Sequence, residues 1–229
     1  MTVVNGVDFD DYSESYNRLM KEGVGFFDKE EGYFSRYKIE IVRRLTDEEP
    51  GRILEYGCGI GRNIGQIRAL FPHSSIYGCD VSKKSIEAAR KQNPDAEFFV
   101  IGEGRVSMEF DLVLLANVLH HVPPAERKRL ADSLAGLLSG GGSLFVFEHN
   151  PFNPVTRRVV STCPFDKGAV LLRPKEVSVL MSGSGLEMGM RGYCLFFPGF
   201  LRGLRRLEKC LFWLPLGGQY FYKARKTGP

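Results

Sequence analysis

None of the five cysteines (Cys58, Cys79, Cys163, Cys194, Cys210) stands in a C-x-x-C pair or at zinc-finger spacing. No apolar run approaches the length of a transmembrane segment, and neither an internal repeat nor a low-complexity tract is present. A strong surplus of charge is also missing. The net charge is +4, largely from the last thirty or so residues, among them Arg202, Arg205, Arg206, Lys209, Lys223, Arg225 and Lys226. That is too little to argue for nucleic acid as a partner. The opening stretch "MTVVNGVDFDDYSESY" is acidic and polar, where a targeting sequence would be basic and then apolar. Together with the odd cysteine count, this points to reduced thiols in a cytoplasmic protein.

What is present is a regular alternation. The 229 residues, 43% hydrophobic and 25% charged, suit one domain with a sizeable core. Apolar residues at helical spacing over 33–45 predict a first helix. From "RILEYG" to "SLFVFEH", five strands ("RILEYG", "SIYGCD", "AEFFVI", "FDLVLLANV", "SLFVFEH") are separated by helical patterns. One helix, "SKKSIEAARKQ", is capped by Ser82. Another, "AERKRLADSLAGLLS", is opened by Pro123-Pro124 and closed by Gly140 to Gly142. Alternation over 50–150 means an α/β fold with a parallel, doubly wound sheet. Beyond His149 come a Pro/Asn-rich stretch, a helix near 174–182, a strand near 186–196, an amphipathic segment at 198–214 and a last strand, "GQYFYKAR".

The turn after the first strand, "EYGCGIG", carries glycines at alternate positions. A dinucleotide fingerprint, G-x-G-x-x-G, would need its third glycine at Arg62 or at Ile64, and neither fits. Glu55, two positions before Gly57, would repel a pyrophosphate but can recognise a ligand amine. Gly57, Gly59 and Gly61 let the backbone approach that ligand closely. Asp80, at the end of the second strand, is placed to accept both hydroxyls of a ribose. The turn therefore suits a nucleoside bearing an amine and no phosphate, a description that S-adenosylmethionine meets.

On these motifs the sequence resembles the class I S-adenosylmethionine-dependent methyltransferases, in particular the small-molecule group with the ubiquinone-type methylases. "ILEYGCGIGRNI", "YGCDVSKKSIEAAR", "FDLVLLANVLHHV" and "LSGGGSLFVFEH" carry the resemblance over residues 50 to about 150. It implies a seven-stranded, mostly parallel, Rossmann-like sheet with an antiparallel last strand. It also implies S-adenosyl-L-methionine as cofactor, held by Glu55, Gly57, Cys58, Gly59, Gly61, Asp80, Val81, Glu103 and Asn117. Glu103 lies in "GEG", where the family usually has Gly-Asp. Residues 1–45 would form a helical cap, 50–150 the donor-binding half and 151–229 the acceptor-side half.

Three of the four histidines, His120, His121 and His149, fall at or just beyond strand ends, where ligands of open parallel sheets lie. Imidazole is well poised near neutral pH to take a proton from an acceptor. The resemblance to phosphobase methylases favours His120 as base, paired with an N-terminal tyrosine, Tyr12 or Tyr16. "NPFNP" (Asn150 to Pro154) resembles the signature of amino-group methylases but follows the fifth strand, so it is not read as one. The sequence shows no cluster of carboxylates and amides of the magnesium-holding kind, and no metal is predicted. Three readings stay open: a methyltransferase acting on a small-molecule hydroxyl or carbon, one acting on a lipid-linked or glycan substrate, and a donor-binding regulatory subunit. In "PGFLRGLRRLEKCLFWL" (198–214) Leu201, Leu204, Leu207 and Leu211 form an apolar stripe beside basic residues. The expectation is a helix packed on the sheet by that stripe. The alternative is peripheral contact with an anionic membrane.

Overall fold

The computed structural model describes residues 3–4, 7–8, 32–103 and 108–228. Two short strands, Val3–Val4 and Val7–Asp8, pair as an antiparallel hairpin. All else is built on one seven-stranded sheet: β1 (Arg52–Tyr56), β2 (Ser75–Asp80), β3 (Glu97–Val100), β4 (Phe110–Ala116), β5 (Leu138–His149), β6 (Leu186–Cys194) and β7 (Gln219–Lys226). Its order is β3-β2-β1-β4-β5-β7-β6, and only β7 runs against the direction of the other six. The order reverses between β1 and β4, and there the crevice for a ligand opens at the carboxyl ends.

Side chains alternate between two buried layers, as the period of two along a strand requires. Ile53, Leu112, Leu114, Phe145, Phe147 and Phe221 face one side. There they pack with Ile39, Ile41 and Val42 of α1 (Tyr33–Arg44), Ile64 and Ile67 of α2 (Ile64–Leu70) and Ile86 and Ala89 of α3 (Lys83–Gln92). Leu54, Val113, Leu115, Leu144 and Val146 face the other, against α4 (Arg127–Leu137) and, further along the chain, a helix at 174–182. Ser82 caps α3 as its sequence predicts, accepting the Ser85 amide at 3.0 Å.

Three local features depart from the sequence reading. The helix expected to reach Ser139 ends at Leu137, and the three glycines belong to the start of a twelve-residue strand, β5. Gly141 adopts φ +80°, and pairing with β4 shifts register between Phe110 and Leu112, an irregularity glycines accommodate. The Pro/Asn-rich stretch contains a helix, α5 (Pro154–Thr162). Asn153 caps it by accepting the amides of Val155 and Thr156, and Pro154 occupies its first turn. The remaining helix, α6 (Pro174–Ser182), lies where it was expected.

The third departure is a correction. Residues Gly199–Cys210 are three-ten turns rather than an α-helix, and their leucine stripe faces solvent. With three residues per turn, Leu201, Leu204 and Leu207 fall in one column while Arg205 and Glu208 fall in the column beside it. The inward column is the polar one: Glu208 is fully buried, whereas Leu207 is 53% exposed. Glu208 accepts the amides of Leu195 (3.1 Å) and Phe197 (3.2 Å), and Tyr33 Oη donates to it at 3.4 Å. The Arg205 guanidinium lies 3.4 Å from the centre of the Tyr33 ring. This polar seam fixes the segment against α1 and leaves its apolar edge outward.

Candidate functional site

The turn leaving β1 is tied to β2 through the Cys79 carbonyl, which accepts the amides of Gly57 (2.8 Å) and Cys58 (2.9 Å). Gly57, Gly59 and Gly61 all take positive φ. Two of them are packing positions: a Cβ on Gly57 would meet Val118 at 2.5 Å, and one on Gly61 would meet Asn93 at 2.7 Å. Gly59 differs, because a Cβ there would meet nothing within 4 Å. Its conformation (φ +53°) turns bare backbone toward open space. Cys58 is buried with its thiol held neutral by burial, and it lines the turn without nucleophilic character.

Glu55 is 2% exposed at the end of β1. Its Oε1 accepts from the Asn63 amide, whereas Oε2 is buried with no hydrogen-bond partner among the described residues. Burial pushes its carboxyl up to about 7, with Asn63 and the Lys38 ammonium opposing and Asp80 adding to the rise. Lys38, buried on α1, is lowered by desolvation and raised in turn by Glu55. A buried carboxylate with one orphaned oxygen, set near a buried lysine, is matched by a ligand end that carries both an ammonium and a carboxylate.

Asp80 bridges the site. Oδ2 accepts the Gly59 amide at 2.8 Å and Oδ1 the Ser82 amide at 3.0 Å. Val81 follows it, half-buried. Glu103 is exposed and ion-paired with Lys83, next to residues outside the described set. Asn117, just past β4, takes φ +58°, rare outside glycine, and its Oδ1 accepts from Gln219 at 3.0 Å.

The three strand-end histidines converge. Ring centroids lie 4.1 Å apart for His120 and His121 and 4.9 Å apart for His120 and His149. His120 is fully enclosed, and its Nδ1 is 2.6 Å from Glu148 Oε2. The other oxygen of Glu148 accepts the amides of Val118 (3.1 Å) and Leu119 (2.7 Å), so this buried carboxylate both shapes the loop and orients the ring. Asp166 stands opposite, its Oδ1 3.5 Å from His120 Nε2 and 3.4 Å from His121 Nε2. Burial alone would lower His120, but Glu148 and Asp166 outweigh it and lift the ring to about 9. Burial and the neighbouring His120 charge push His121 down to about 3 and His149 to about 4. Both carboxylates lie below their usual range: burial would raise them, but the His120 charge and hydrogen bond prevail.

Sequence reasoning missed Glu148, Asp166 and Lys38. Glu148 stands beside His149 at the end of β5, a position that marks it in retrospect. Asp166 closes a short three-ten turn (Pro164–Asp166) that no periodicity announces. Tyr12 and Tyr16 lie outside the described residues. "NPFNP" is structural: Asn150 donates to the carbonyls of Pro215 (3.1 Å) and Gly217 (2.8 Å).

A family model described as a methyltransferase domain matches residues 54–144. Trans-aconitate 2-methyltransferase of Methylobacterium radiotolerans is 32% identical over 114 residues, which cover 49% of this chain and 43% of that protein. Demethylmenaquinone methyltransferase of Thermotoga maritima is 25% identical over 157 residues, 66% of this chain and 62% of that one. The chain thus spans about half to three fifths of the curated relatives it matches. Among solved structures, the N-methyltransferase NodS of Bradyrhizobium japonicum, in complex with S-adenosyl-L-homocysteine, superposes with a TM-score of 0.63. It does so at 16% identity, covering 95% of this chain and 98% of that one, a likeness of fold.

Proposed function

We propose that this chain, whose residues 54–144 match a methyltransferase-domain model, is a class I S-adenosylmethionine-dependent methyltransferase that methylates a small-molecule hydroxyl or carbon acceptor. The observation that carries the reading is the orphaned Oε2 of Glu55 beside the open backbone of Gly59. S-adenosylmethionine, when bound, supplies a methyl group already activated on a sulfonium. Glu55 would hold its ammonium and Lys38 its carboxylate. Asp80 would hold the ribose, with Val81 and Glu103 toward the base and the strained Asn117 backbone beside the methionine end. The protein's remaining work is to align the acceptor and exclude water. The cluster of His120, His121, His149 and Asp166 would receive the acceptor, whose proton would pass to His121 or His149, the rings that burial keeps neutral, rather than to the already charged His120. The printed names of the relatives concern trans-aconitate and demethylmenaquinone, which supports a small molecule. Calorimetry with S-adenosylmethionine followed by assay of S-adenosylhomocysteine over an acceptor panel tests the reading. Binding without turnover on any acceptor would favour a regulatory subunit, and absence of binding would defeat both.

A second reading concerns the acceptor's setting. No helix among the described residues is long and apolar enough to cross a membrane. Yet Phe200 (72%), Leu207 (53%), Trp213 (75%) and Leu216 (63%) are exposed. Arg43, Arg44, Arg206 and Lys209, with Glu40 as the one acid, line a cavity of about 440 Å³ on the same segment's side. Apolar side chains next to cations suit anionic lipid, and hence a greasy or lipid-linked acceptor. Sedimentation with anionic vesicles at low and high salt tests this, using Arg206→Glu with Lys209→Glu. Arg205 is unsuitable because it stacks on Tyr33. Five free cysteines, four of them buried, support a reducing, cytoplasmic location.

A further inference from the structure

We propose that His120, His121 and Asp166 form a binding site for one divalent first-row transition ion, Zn²⁺ foremost. The three ligand atoms lie within 4.8 Å of one another, the one such group found among the described residues. Two of the separations are informative. At 3.5 and 3.4 Å, His120 Nε2 and His121 Nε2 stand at the long edge of hydrogen-bond range from Asp166 Oδ1, beyond the usual distance of about 2.7–3.2 Å. Ligand atoms about 2.0–2.1 Å from a tetrahedral ion stand about 3.3–3.4 Å apart. The two edges that meet at Asp166 therefore match those of a tetrahedron.

The surroundings fit as well. His120 directs Nδ1 at Glu148 and so aims Nε2 at Asp166, where a bound ion would take the place of the Nε2 proton. A histidine whose second nitrogen donates to a carboxylate is the usual support of a metal ligand. Glu148 is itself fixed by two backbone amides, so the ring cannot swing. Asp166 is locked by its turn, and the Val170 amide donates to the His120 carbonyl at 2.8 Å, joining the two ligand loops. Two imidazoles and one carboxylate are a donor set suited to zinc and its neighbours rather than to magnesium, and they leave a fourth position for an outside ligand. Use of that position by an acceptor oxygen rests on the methyl-transfer reading, but metal binding itself does not.

The test is titration of the chelator-treated full chain with Co²⁺, read by its visible absorption, with Zn²⁺ competing. One ion per chain is expected, with the intense visible bands of a four-coordinate site and without the near-ultraviolet bands of thiolate ligation. His121→Ala and Asp166→Asn should each weaken binding at least 10-fold, and Glu148→Gln, a positioning residue, by about 10–100-fold with an altered spectrum. His121→Asn serves if a variant fails to fold by circular dichroism, and His73→Ala should bind as the parent does. Absence of visible bands, or unchanged affinity in folded His121 and Asp166 variants, overturns the site. Calorimetry with S-adenosylmethionine on the same metal-free protein separates the two ideas. Donor binding without metal binding removes only the metal site, and the converse removes only the methyl-transfer reading.

Discussion

Replacing Glu55 by Gln should make the ligand-free protein more stable and the donor complex weaker. The two signs follow from one fact, the burial of a carboxylate whose Oε2 has no partner. Burial raises the group from an ordinary 4.5 to about 7. The native state therefore holds this proton more tightly than the unfolded chain does, and stability is lost as pH rises through 4.5 to 7. The shift of 7 − 4.5 = 2.5 units corresponds to about 3 kcal/mol of penalty, complete above pH 7 and absent below 4.5. Glutamine mimics the protonated acid and can keep the Asn63 contact. Urea denaturation without donor should thus find the variant about 1–3 kcal/mol more stable at pH 8 and nearly equal to the parent at pH 5. For an ammonium ligand the order reverses. A charge-assisted hydrogen bond contributes about 1.5–3 kcal/mol, so donor affinity should fall roughly 10- to 100-fold. The parent should also release a proton on binding at pH 6, seen as buffer-dependent heat, and the variant should not. A variant that is less stable at pH 8 and binds the donor normally would refute both the buried charge and its purpose.

Gly59→Val should abolish donor binding in calorimetry, because it fills the open space facing a positive-φ backbone, and should cost about 1–2 kcal/mol of stability. Normal binding would place the ligand elsewhere. Asp80→Ala should weaken the donor by about 1–3 kcal/mol and lower stability as well, since its carboxylate holds the amides of Gly59 and Ser82. Unchanged affinity would remove the ribose role. Glu208→Ala leaves two amides and a tyrosine hydroxyl without their acceptor, so denaturation should show a loss of about 2–4 kcal/mol. A loss under 1 kcal/mol would mean that the seam does not hold the three-ten segment.

The half of the fold proposed to bind the donor was legible because its signals are local. Strand alternation, the Ser82 cap and the glycine register each lie within a dozen residues, and Glu55, Gly59 and Asp80 stand where those signals put them. The histidine cluster was less legible, since its geometry is made by distant closure. Asp166 meets two histidines from another loop, and nothing near it in the chain says so. The leucine stripe at 201–207 misled for a physical reason: a three-residue repeat in polar company suits three-ten turns, and there the buried column was glutamate. Asn153 shows the same lesson at small scale, for a cap and a proline opened a helix inside a stretch described only by its proline and asparagine content.

The placement of β7 has a consequence for how the chain is made. β6 leaves the ribosome before β7 does, yet β7 is the strand through which it joins the sheet, lying between β5 and β6 with antiparallel pairing to both. Until residues 219–226 emerge, β5 presents a bare edge that includes Leu144, Phe145, Val146 and Phe147, and β6 has no neighbour to dock on. Such an edge is a template for pairing between nascent chains. A pause in translation shortly before Gln219 would prolong that state, whereas the crevice between β1 and β4 would already have all its strands.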